Sequence, residues 1–155
     1  MFVNWQATPK IVQDDRYREF ANLISSEFGG DGKYWQDFLF GIIRPEEKVL
    51  GIAGGAYVRV HDTSGGKTTS SPRTRLGLVV TNQRLIWLGS DGYLFWSLKN
   101  ISGLSPIRRG DLYFGMSDGS WVQVALALWM LRKARIESVN ATLAALMGER
   151  LQNKL

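Results

Sequence analysis

A mainly β chain of the α+β class, with helices at both ends, is what this sequence predicts. Three observations carry that prediction. Apolar residues recur with a helical period as far as Ile43, with a period of two from Leu50 to Leu126, and with a helical period again near the C-terminus. Short polar breaks at Asn82-Gln83, Ser90-Asp91-Gly92, Lys99-Asn100 and Ser117-Asp118-Gly119 punctuate the middle at hairpin spacing. With 155 residues, 45% of them hydrophobic, the chain has enough apolar surface for one substantial core and is not disordered.

The first helix runs from Asp14, with Tyr17, Phe20, Ala21, Leu23, Ile24 and Phe28 on one stripe. Asp14 or Thr8 can cap its start, and Gly29-Gly30 ends it. A second helix starts near Asp31, carries Tyr34, Trp35, Phe38, Leu39, Ile42 and Ile43 on one face, and stops at Arg44-Pro45. From Leu50 to Val60 the period is two, and Gly54-Gly55 inside that strand predicts a bulge or sharp bend. His61 to Pro72 has no apolar residue and reads as an exposed loop. Six more strands follow: Arg73 to Thr81, Arg84 to Gly89, Tyr93 to Leu98, Ile101 to Ile107, Leu112 to Met116 and Trp121 to Leu126. Seven short strands at this spacing predict an antiparallel meander, either a sandwich or a barrel. The last helix sets Leu128, Leu131, Ile136, Val139, Leu143 and Leu146 on one side.

The segment Gly77-Leu78-Val79-Val80-Thr81-Asn82-Gln83-Arg84-Leu85-Ile86-Trp87-Leu88 resembles the Thr-Asn-x-Arg-Leu hairpin of bacterial pleckstrin-homology (PH)-like domains, of the YokE type and related to GRAM domains. Pro45-Glu46-Glu47-Lys48-Val49-Leu50 and Leu98-Lys99-Asn100-Ile101-Ser102-Gly103 extend the resemblance over residues 45–150. It implies a seven-stranded antiparallel barrel with a capping C-terminal helix over residues 45–155, preceded by a helical extension over 1–44. Leu78, Val80, Leu85 and Trp87 then face the barrel interior. Thr81, Asn82 and Arg84 read first as turn chemistry, with Asn82 suited to a left-handed backbone, and second as a ligand site.

Charge is unevenly spread. Residues 1–47 hold five basic and eight acidic residues, net −3, whereas residues 48–155 hold fourteen and six, net +8. An acidic front and a basic body suggest either an anionic partner for the body or docking of the front onto it, in cis or in trans.

The composition excludes most catalysis. With no Cys and one His, there is no thiol nucleophile, zinc ribbon or disulfide framework. Asp14-Asp15 and Glu46-Glu47 are adjacent acids beside helix ends, and His61-Asp62 with Ser64 lacks the separation a triad needs. The expectation is a non-enzymatic protein with no cofactor and no metal. Met1 to Lys10 has no signal-peptide pattern and no apolar run spans a membrane, so the expected location is cytoplasmic, with peripheral membrane contact if an anionic lipid is bound.

Binding is the expected work. Its first form is protein interaction or self-association through the front helices and a barrel edge, with Trp35, Phe38 and Trp129 as interface residues. The alternative is an anionic lipid or phosphoryl ligand. PH domains that bind phosphoinositides place basic residues on and beside the first hairpin, and the resemblance carries that site to Lys67, Arg73 and Arg75, with Arg59 joining from the opposing strand. Nucleic acid ranks last, because most aromatics fall at alternating positions that a barrel core would use.

Overall fold

A computed structural model describes residues 2–4, 17–28, 39–62, 67–70, 77–88, 92–126 and 133–153. Nine strands occur among them: β1 (Phe2–Asn4), β2 (Val49–Asp62), β3 (Lys67–Ser70), β4 (Gly77–Thr81), β5 (Arg84–Leu88), β6 (Gly92–Ser97), β7 (Ile101–Leu104), β8 (Asp111–Met116) and β9 (Trp121–Leu126). An N-terminal helix covers Tyr17–Phe28, residues 39–42 are helical, and a C-terminal helix covers Lys133–Asn153. The fold is therefore mainly β with helices at both ends.

Every ladder is antiparallel, in the order β1-β6-β5-β4-β2-β9-β8-β7, with β3 paired to β2 off that path. Strand β2 belongs to two sheets. Residues from Val49 to Gly54 pair with β4, and residues from Gly55 to His61 pair with β9. The transfer falls at Gly54-Gly55, and the register slips between Gly55 and Tyr57. This is the corner the glycine pair predicts: without Cβ atoms the strand can bend sharply enough to leave one sheet for the other.

Three expectations are corrected. The polar tract 61–72 is not all loop, because Lys67–Ser70 pairs with Arg59–Asp62. Its threonines suit a strand although no apolar alternation announces one. Phe2–Asn4 adds an unforeseen strand beside β6. The barrel, finally, is not closed: among the described residues β6 and β7 share no ladder, and the sheet path ends at β1 and β7. A 3₁₀ turn, Leu98–Asn100, replaces the hairpin between them. Its Leu98 N–H donates to the carbonyl of Gln83, and the Leu98 side chain is buried in the core.

Two apolar clusters explain why every residue of β4 and β5 is buried, leaving no alternation of exposure. On the inner face Leu78, Val80, Leu85 and Trp87 join Leu112, Phe114, Val122 and Val124 of the second sheet. Trp96 meets Phe114 edge-on at 5.2 Å, and Val139 and Leu143 of the C-terminal helix complete the cluster. On the outer face Val79, Ile86, Leu88, Ile52 and Tyr93 pack with Leu39, against which Phe20, Ile42 and Ile43 lie. The described part of the front thus docks in cis on the first sheet. Each fully buried Leu or Ile here contributes about 1.5–3 kcal/mol.

Candidate functional site

The Thr-Asn-x-Arg hairpin is the best-defined polar cluster, and its chemistry points inward. Thr81 Oγ1 accepts the backbone N–H groups of Gln83 and Arg84 at 3.1 and 3.0 Å, forming the turn, and donates to Glu47 Oε2 at 2.6 Å. Arg84 grips the same carboxylate with two prongs, Nε to Oε2 at 2.8 Å and Nη2 to Oε1 at 2.9 Å. Its Nη2 also donates to the carbonyl of Ile42, and its guanidinium lies 5.0 Å from the Phe95 ring centroid. Thr81, Arg84 and Glu47 are all buried. Burial pushes the Glu47 carboxyl up. Hydrogen bonds from Arg84, Thr81 and the Arg44 backbone, with the Arg84 charge, outweigh this and hold it below the usual carboxylate range.

Asn82 acts differently from expectation. Among the described residues Arg109 is the one non-glycine with positive φ, so Asn82 does not use a left-handed backbone. Its Oδ1 instead accepts Lys48 N–H at 2.9 Å and its Nδ2 reaches the Glu46 carbonyl at 3.4 Å. Gln83 Oε1 accepts from Arg44 Nη1 at 3.0 Å. The hairpin therefore holds the 44–48 turn, where the helical front enters the sheet. A buried carboxylate saturated by a guanidinium, a hydroxyl and a backbone N–H has no lone pair left for a substrate, so this cluster is an internal clamp.

The residues expected to bind an anion do not form one cluster. Arg73 and Arg75 lie outside the described residues, as do Trp35, Phe38 and Trp129. Arg59 pairs with Ser70, and Asp62 pairs with Lys67. Positions 59 and 67 therefore have opposite parity in the β2–β3 ribbon and occupy opposite faces. His61 and Asp62, being adjacent in β2, also occupy opposite faces. Among the described residues no group of three or more His, Cys, Asp or Glu side chains could hold a metal ion, and no helix is long and apolar enough to cross a membrane.

Two stretches of the second sheet are exposed among the described residues. One is the sheet end at β7, where Ser102 and Gly103 are exposed and a Cβ built at Gly103 meets nothing within 4 Å. The other is the outer face of the second sheet. Leu112, Phe114, Val122 and Val124 point inward, so the alternate residues Tyr113 and Trp121 point out, 45% and 38% exposed. Sequence reasoning assigned aromatics of this region to a core. Their parity against Leu112 and Val122 was the signal that separates them.

No protein-family model matches the chain, and no curated protein and no solved structure matches it significantly.

Proposed function

We propose that the chain is a non-enzymatic, PH-like binding module whose work is protein interaction or self-association. The strand order supports the PH-like reading. Strands β6-β5-β4 and β9-β8-β7 flank one long shared strand, and the C-terminal helix packs Val139 and Leu143 on the core between the sheets.

The observation that supports the binding reading is that, among the described residues, the sheet path ends at β7, with Ser102 and Gly103 exposed. The opposite end is lengthened by β1, and the described front helices are already engaged on the first sheet. An edge strand offers its backbone N–H and C=O groups to an added strand from a second copy or an extended peptide. Ser102 and Gly103 are exposed there, and a side chain added at Gly103 meets no described atom within 4 Å of its Cβ.

The test is the oligomeric state and peptide capture of the full chain beside Gly103→Lys, which puts a charge on the edge in open space. Sedimentation that shows association in the wild type and a monomer in Gly103→Lys, at unchanged melting temperature, supports self-association. Capture of extended peptides from a displayed library, lost in Gly103→Lys, supports a peptide partner. A wild type that is monomeric at high concentration and captures no peptide overturns the reading.

A further inference from the structure

The far edge of the first sheet is filled in part. Strand β6 runs six residues, Gly92–Ser97, and pairs with β5 from Tyr93 to Ser97. On its other side β1 runs three residues and faces Gly92, Tyr93 and Leu94 through Asn4, Val3 and Phe2. Among the described residues Phe95, Trp96 and Ser97 have no strand beside them on that edge.

The parity of the β5–β6 ladder decides which backbone groups face the edge. The Leu98 N–H donates to the Gln83 carbonyl, and this contact continues the register that pairs Leu85 with Trp96 and Trp87 with Leu94. Hydrogen-bonded pairs alternate with non-bonded ones along an antiparallel ladder. The backbones of Leu94, Trp96 and Leu98 therefore turn to β5, and those of Tyr93, Phe95 and Ser97 turn away from it. Val3 takes the Tyr93 position. Further along, the N–H and C=O of Phe95 and the N–H of Ser97 point to the same side, where no described strand meets them, and both residues are half-buried. Leu94 packs on the inner cluster and Phe95 on the outer one, both partly exposed, so a strand laid along β6 finds apolar side chains on either face.

We propose that the β6 edge is a docking site for an extended apolar peptide of a partner protein, added as a strand along Gly92–Ser97, with Phe2–Asn4 as the chain's own occupant of half of it. The mode is that of β1, an antiparallel segment whose Phe-Val-Asn lies in register on Leu94, Tyr93 and Gly92. A six-residue strand also covers Phe95 to Ser97, and so gains backbone hydrogen bonds that the three-residue β1 does not make. Because β1 holds the shared positions, an incoming strand must displace it, and its apparent affinity scales with the fraction of chains in which β1 has left. The site is at the β6 side of the sheet path, opposite the β7 end, and is independent of it.

Fluorescence anisotropy of a labelled peptide, Thr-Val-Met-Phe-Val-Asn, titrated with the full chain, tests this. Its last three residues repeat Phe2–Asn4, and its first three reach Ser97, Trp96 and Phe95. The wild type is expected to bind it. Val3→Pro removes the N–H that β1 presents at Tyr93 and should tighten binding about tenfold. Ser97→Pro removes the outward N–H, and the φ of −65° at Ser97 already suits proline. Its melting temperature should hold while the affinity drops about two- to tenfold. Amide exchange at Phe95 and Ser97 should slow when the peptide is added, and this decides if Ser97→Pro melts early. Absence of binding by both the wild type and Val3→Pro overturns the proposal, as does binding that leaves the Phe95 and Ser97 amides unprotected. Protection that rises with protein concentration without peptide also overturns it, in favour of β1 exchanged between two copies. Gly103→Lys is expected to bind the peptide as the wild type does, which separates this edge from that at β7.

Discussion

Arg84 and Glu47, 37 residues apart in the chain, form a two-pronged buried ion pair that joins the central hairpin to the turn where the helical front enters the sheet. The pair is desolvated, so its members depend on each other far more than a surface pair would. Removing Arg84 leaves the Glu47 carboxylate buried, held by the Thr81 hydroxyl and the Arg44 backbone N–H without its countercharge. Arg84→Ala is expected to lower unfolding stability by about 3–5 kcal/mol. A double variant, Arg84→Met with Glu47→Leu, is expected to recover much of that loss. Urea unfolding of the three proteins measures both, and additive losses in the double variant would contradict the coupling.

The same pair sets an acid limit. Glu47 is held below its ordinary value by its partners, so in the folded chain it releases its proton more readily than in the unfolded one. Its contribution is then fully present above the ordinary glutamate value, about 4.3, and is lost as the pH falls through the lower folded value. Melting temperatures measured between neutral and strongly acid pH should drop through that window. Glu47→Gln should flatten this part of the profile while lowering stability at neutral pH.

Asn140 mimics a strand for the loop before β8. Its Oδ1 accepts Ile107 N–H at 2.7 Å, and its Nδ2 lies 3.4 Å from the Ile107 carbonyl, tying the C-terminal helix to the second sheet. Asn140→Leu should cost about 1–3 kcal/mol by leaving that backbone unsatisfied. Asn140→Asp keeps the acceptor for the shorter bond and should cost less. Amide exchange at Ile107 reports the site directly, and equal protection in all three proteins would contradict the assignment.

Gly51 sits beneath the C-terminal helix. A Cβ there would lie 3.7 Å from Val139 Cγ2 and 3.8 Å from Val80 Cβ, which is ordinary contact, and its φ is not positive. Gly51→Ala is therefore expected to be tolerated and to stabilise by about 0.4–1 kcal/mol, through a less mobile unfolded chain. A fall in the thermal midpoint would show that the helix needs the missing methyl's space.

The sequence was most legible where a local pattern has a local cause. Short apolar runs between turn signals located β4 to β9, and Gly54-Gly55 located the corner of β2, because turn chemistry and the absence of Cβ act on neighbours. Strand β3 was hidden because Lys67–Ser70 has no apolar residue, so its pairing with β2 leaves no hydrophobic signature. The open barrel was hidden because it depends on a three-residue 3₁₀ turn with a buried leucine. The clamp was half visible. Thr81, Asn82 and Arg84 announce a turn, whereas Glu47 reads as one of two acids after a proline, and only the fold brings it to Arg84. Arg59 and Lys67 look like neighbours by composition, but the register sets them on opposite faces.

The shared strand β2 also dictates the order in which the molecule can be completed during synthesis. Its first half meets β4, and Arg59–Asp62 meet β3, soon after these segments leave the ribosome, but the other edge of its second half must wait for Trp121–Leu126, made sixty or more residues later. Until then Val58 and Val60 have no inner-sheet partners in Val124 and Val122. The second sheet is thus the last part to close, and a chain stopped short of β9 carries a half-paired strand with an open hydrogen-bonding edge, the species most exposed to wrong association before folding ends.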